Sequence, residues 1–129
     1  MIAVCAADEP RSLECPFECT FIADYDGSQQ KYLQLLPRGV ALGQPLSVMI
    51  ALHGHGSDRW QFATQSRDEC RAARDVAAAH SMGFVSPDYR AKTSWMGPAA
   101  EADLVQIIGL LKQQFHLKRL ILCGGSMGG

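Results

Sequence analysis

Three observations predict an α/β fold with a mostly parallel sheet and an N-terminal antiparallel hairpin. Residues 46–52 are a nearly continuous apolar run, the composition of a strand buried on both faces, and a second apolar run at 120–123 leads into a glycine-rich turn. Segments with helical spacing alternate with such runs, the signature of a sheet covered by helices. Three polar or glycine-rich segments, His53-Gly54-His55-Gly56, Asp88-Tyr89-Arg90 and Gly125-Ser126-Met127, each follow a predicted strand. In open α/β sheets, sites collect beyond the carboxyl ends of strands.

Residues 17–25 carry the β-formers Phe21, Ile22 and Tyr25 and end at Asp26-Gly27, a turn signal. Residues 31–36 read as a second strand, stopped by Pro37-Arg38-Gly39, so the two form a hairpin. The third strand is 46–52. Ser66-Arg67-Asp68-Glu69 fits a capping box, and the helix it opens, to about residue 80, sets Cys70, Ala73, Val76, Ala77 and His80 on one stripe. Residues 83–87 form a short strand with its proline at the end, where no ladder bond is lost. A loop through Trp95-Met96-Gly97 leads to a helix opening at Pro98, a favoured first position. Leu104, Ile107, Ile108, Leu111 and Phe115 give this helix a clean apolar stripe. With the strand at 120–123 the order is β-β-β-α-β-α-β.

Composition narrows the function classes. The chain has 129 residues, 47% hydrophobic and 19% charged, enough for one globular domain, here taken as 17–129 after an extension at 1–16. Lys+Arg 12 against Asp+Glu 13 gives a net charge of -1, so neither nucleic acid nor an anionic membrane has electrostatic support as a partner. No apolar stretch approaches the roughly 18 residues that span a bilayer. The opening residues lack a basic n-region, and five cysteines without a CxxC pair read as reduced thiols, so a cytoplasmic location is expected.

Gly124-Gly125-Ser126-Met127-Gly128 matches G-x-S-x-G, a serine raised on a sharp turn after a strand. Such a hydroxyl stands clear of its neighbours but needs a base to take its proton. His53 and His55 permit a rival reading as two metal ligands at a strand end, with Asp58 nearby, although a metal site needs further ligands. A base within the chain is conceivable if the third and last strands are neighbours, His55 then approaching Ser126 with Asp58 or Asp88 orienting it. Trp95 and Met96 either line a substrate pocket or cover the sheet edge. Asp88 and Arg90 are expected to pair, and Arg67, Arg71 and Arg74 to form a solvated helix face. No cofactor and no metal are expected.

From residue 17 onward the chain resembles the N-terminal half of an α/β-hydrolase, most similar to small esterases and the hydrolase domain of prolyl-oligopeptidase-related enzymes. The carriers are Leu52-His53-Gly54-His55-Gly56-Ser57, Ser86-Pro87-Asp88-Tyr89-Arg90 and Gly124-Gly125-Ser126-Met127-Gly128-Gly129. The resemblance implies acyl transfer from a small ester or peptide through Ser126, with the backbone N–H groups of Met127 and His55 as the oxyanion hole. It also implies that the acid and histidine follow the serine in chain order. Both are therefore expected beyond Gly129, and the last strand is expected to be an apolar edge prone to self-association. A non-catalytic binding domain on the same scaffold is the alternative.

Overall fold

The computed structural model describes residues 13–129; the opening residues and most of the extension at 1–16 lie outside the described residues. Strands β1 (Phe17–Ile22) and β2 (Gln29–Leu35) pair antiparallel from Phe17↔Gln34 to Ile22↔Gln29. Their turn is closed by Ala23 N–H to Ser28 O at 2.8 Å, and Asp26 Oδ1 accepts from both the N–H and Oγ of Ser28. β3 (Pro45–Leu52), β4 (Gly83–Pro87) and β5 (His116–Gly124) complete a five-stranded sheet of order β1-β2-β4-β3-β5. β3 runs parallel to both β4 and β5, while β2 meets β4 antiparallel. The predicted mostly parallel sheet with its leading hairpin is what forms. Pro87 closes β4, as its missing N–H requires.

Strand alternation divides the apolar residues between two cores. Val48, Ile50 and Leu52 face α3 (Pro98–Gln114), whose Leu104, Ile107 and Leu111 are buried among them with Phe115 just past its end. Met49 and Ala51 face the other way, toward α1 (Trp60–Thr64) and α2 (Asp68–Ala79), through Phe62, Ala63, Cys70 and Ala77. Among the described residues, no helix is long and apolar enough to cross a membrane.

Several expectations need correction. α2 starts at Asp68 with Arg67, not Ser66, at its cap and no side-chain cap bond. The Glu69 carboxylate pairs instead with Arg67 at 3.0 Å. The helix meets the sheet through the small residues Cys70 and Ala77, and so narrow a contact leaves Val76 48% exposed and His80 exposed at the C-cap. His116 opens β5. α1 went unpredicted because five residues carry no readable period. Arg74 is half-buried rather than freely solvated; it donates to the carbonyls of Phe62 and Gln65 at 2.5 and 2.7 Å, holding the end of α1. Cys15 is disulfide-bonded, contrary to the reading of wholly reduced thiols, whereas Cys19, Cys70 and Cys123 are free.

Two surface carboxylates tie the hairpin to the rest of the fold. Glu18 pairs with Lys31 and Arg59, and Asp26 with Arg90; each carboxyl is held below the usual range, chiefly by hydrogen bonds from those cations. A pKa depressed in the folded state gives stability that is present above the unfolded value of about 4 and lost as pH falls through the folded value. The urea midpoint should therefore decline below about pH 4. Glu18→Gln with Asp26→Asn should flatten that decline; an unchanged pH profile in the double variant would refute the assignment.

Candidate active site

The parallel pairing of β3 with β5 runs to Leu52↔Gly124, so both strands end at the same level. The loop after β3 and the turn after β5 therefore leave the sheet side by side. A Cβ built on Gly54 would lie 3.8 Å from the Ser126 Cβ and 3.6 Å from the Gly125 carbonyl. β4 ends on the other side of β3 and brings Asp88 and Tyr89 to the same rim. All three segments singled out in the sequence meet there.

After β5 the chain turns through a single 3₁₀ turn, Ser126–Gly128, closed by Gly128 N–H to Gly125 O and Gly129 N–H to Ser126 O, both 3.0 Å. Ser126 has φ 57°, a left-handed conformation costly for a residue with a side chain and found mainly where surrounding structure enforces it. Two contacts enforce it here. A Cβ on Gly124 would land on the Gly128 carbonyl, and one on Gly128 would come within 2.8 Å of the Leu52 Cβ and onto the Leu52 carbonyl. Met127 is buried in the α3-side core and anchors the turn, while Ser126 is exposed. Gly128→Ala should therefore destabilise the fold by about 2 kcal/mol or more through forced backbone movement. Thermal unfolding checks this; a Tm within a degree of the parent would mean the turn is looser than its contacts require.

His53 is fully buried, with Nδ1 2.9 Å from the Gly54 carbonyl and Nε2 2.9 Å from the Asp88 carbonyl. Its ring lies 4.5 Å from that of Tyr89, whose hydroxyl donates to the His53 carbonyl. Burial raises the Tyr89 phenol to about 12. His53 thus fastens two loops together, with both nitrogens turned to backbone oxygens rather than to an open position. His55 is exposed, its ring 5.9 Å from Trp95. Among the described residues no group of three or more His, Cys, Asp or Glu side chains could hold a metal ion.

The Gly54 N–H donates to Gln61 Oε1 at 2.8 Å. The N–H groups of His55 and Met127 donate to no protein acceptor among the described residues. A cleft of ≈ 280 Å³ opens at His55, lined also by Gly54, Gln61, Phe62, Gly125 and Ser126, with the Arg67–Glu69 pair at its wall. Trp95, 61% exposed, and Met96, packed against the α3-side core, do not line this cleft. Asp88 does not pair with Arg90. Its carboxylate accepts from the Arg59 N–H at 3.0 Å and from Arg59 Nη1 at 3.0 Å, because Arg59 at the start of α1 reaches the end of β4 first. With Asp88 so engaged, and Asp58 accepting from the Trp60 N–H at 2.9 Å, neither carboxylate is held against His55. Arg90 turns instead to Asp26 and Asp103. Gln61 and Phe62 were missed as cleft residues; a short helix offers no pattern to find them by.

No family model and no curated protein matches the chain. Solved structures do. An S-formylglutathione hydrolase from Staphylococcus aureus superposes with a TM-score of 0.66 at 19% identity, over 88% of this chain and 48% of that one. A fluorophosphonate-binding serine hydrolase from the same organism gives a TM-score of 0.69 at 17% identity, over 91% and 49%. A ferulic acid esterase from the fungus Anaeromyces mucronatus gives 0.67 at 18% identity, over 99% and 58%. The chain spans about half the length of these proteins. At such identities the likeness is one of fold, and it agrees with the sheet order and parallel pairings described above. The chain has the α/β-hydrolase fold of these enzymes, of which it spans part.

Proposed function

We propose that this chain carries the nucleophile and the oxyanion donors of a serine esterase. The observation that carries the reading is Ser126 itself: an exposed residue in a left-handed conformation after a parallel strand, sharing a cleft with His55, while the N–H groups of His55 and of the adjoining Met127 meet no protein acceptor among the described residues. Ser126 Oγ attacks the carbonyl carbon of an ester, and the Ser126 proton passes to a general base. The His55 and Met127 N–H groups receive the negative charge that develops on the carbonyl oxygen. The alkoxide leaves with a proton, and water then cleaves acyl-Ser126 to free acid and serine. In this reading the base and its orienting acid come from sequence beyond Gly129, as in the resemblance that places them after the serine. A small ester is favoured over a peptide because the similar structures include named esterases. Each oxyanion donor is worth about 10²–10³ in rate.

A fluorophosphonate probe applied to the full-length protein tests this. Peptide mapping should place the phosphonyl group on Ser126; a label on another residue, or none, refutes it.

A further inference from the structure

We propose that Gln61 is a positioning residue for the oxyanion hole, an inference that rests on the reading of Ser126 given above. The Gly54 amide nitrogen can only donate, so the Gln61 side chain must present its oxygen to it, and the 2.8 Å bond fixes which way the amide faces. Gly54 immediately precedes His55, which lines one cleft with Ser126 and whose N–H meets no protein acceptor among the described residues. Holding the Gly54 N–H sets the orientation of the peptide plane before it and restrains the Gly54–His55 plane after it. Without that acceptor, the His53–Gly54 plane loses its hold in a loop containing Gly54 and Gly56, and the His55 N–H is then aimed only through the Gly54 carbonyl, which accepts from the Ser57 N–H at 3.2 Å and lies 2.9 Å from His53 Nδ1.

Gln61 is well placed for this because α1 is pinned at both ends. At its start, the Arg59 N–H donates to Asp88 Oδ1 at 3.0 Å and the Arg59 carbonyl accepts from Ser86 Oγ at 2.6 Å. At its far end, Arg74 holds the Phe62 and Gln65 carbonyls. Between them Phe62 is buried in the α2-side core and approaches Gly125 to 4.0 Å of where a Cβ would stand. The geometry of β4 is thus transmitted through a five-residue helix to one peptide bond at the cleft. A donor displaced by about 1 Å can cost up to about 10²-fold in rate.

The test uses Gln61→Met, which keeps side-chain length and removes the acceptor, with Gln61→Leu as a second variant, both in the full-length protein. Turnover of p-nitrophenyl acetate is normalised to Ser126 sites titrated with fluorophosphonate. We expect kcat per site to fall about 10- to 100-fold with KM within about two-fold. Affinity for a trifluoromethyl ketone, which forms a tetrahedral adduct, should fall by the same factor, since only transition-state contacts are lost. A kcat per titrated site within two-fold of the parent overturns the proposal, whatever happens to Tm. Absence of the label from Ser126 in the parent protein overturns the underlying assignment instead, so the two failures are distinguishable.

Discussion

Ser126→Ala is expected to lower ester turnover by the full-length protein by about 10⁴- to 10⁶-fold and to abolish fluorophosphonate labelling. Removing the hydroxyl eliminates the covalent intermediate, while the His55 and Met127 N–H groups remain to give a small residual rate. Ser126 is exposed and its Cβ makes no demand on the core, so the variant should fold as the parent does. Alanine carries a Cβ as serine does and meets the same left-handed φ of 57°, so little change in Tm should accompany the loss. Retention of more than about a hundredth of the parent turnover would place the nucleophile elsewhere.

The second large effect concerns Arg90, away from the cleft. Its guanidinium donates from Nε and Nη2 to the two oxygens of Asp103 at 2.5 and 3.0 Å, and from Nη1 to Asp26 at 2.6 Å. Asp103 is 1% exposed within α3, so this pair neutralises a carboxylate in the core while tying the hairpin turn to the helix. The same hydrogen bonds raise the Arg90 guanidinium further above its already high range. Arg90→Met strands that carboxylate, at a cost of about 3–5 kcal/mol. Adding Asp103→Leu removes the stranded charge and should recover most of the loss. Urea unfolding of the two variants decides the matter: equal destabilisation in both would show that packing of Arg90, rather than charge, holds the fold.

The strands and the long helix were legible because they obey simple periods. β3 is apolar and buried from Val48 to Leu52, as burial on both faces demands, and α3 carries its stripe from Leu104 to Leu111 at helical spacing. The serine turn was legible because Gly124 and Gly128 sit where the backbone admits no side chain. The long-range charge pairs were not. Asp88 and Arg90 are two residues apart and suggested a local pair, yet the strand end sends one toward Arg59 and the other toward Asp103. Only the fold decides such partners. The capping-box pattern at Ser66 failed for a related reason, since Glu69 had Arg67 within reach. Gln61 was invisible because its importance lies in a bond to a backbone group seven residues earlier, across a loop.

The placement of β3 between β4 and β5 bears on how reactivity arises during folding. Gly54 and Ser126 abut although more than half the chain separates them, and the connection passes through three α-helices and two strands. Closing so long a circuit sacrifices chain entropy before any adjoining contact offsets it. Individual helices and the leading hairpin can form from near neighbours alone, whereas the serine acquires its setting only when the parallel strands have found one another. The juxtaposition of Ser126 with the loop after β3 is consequently a property of the completed topology rather than of any local segment.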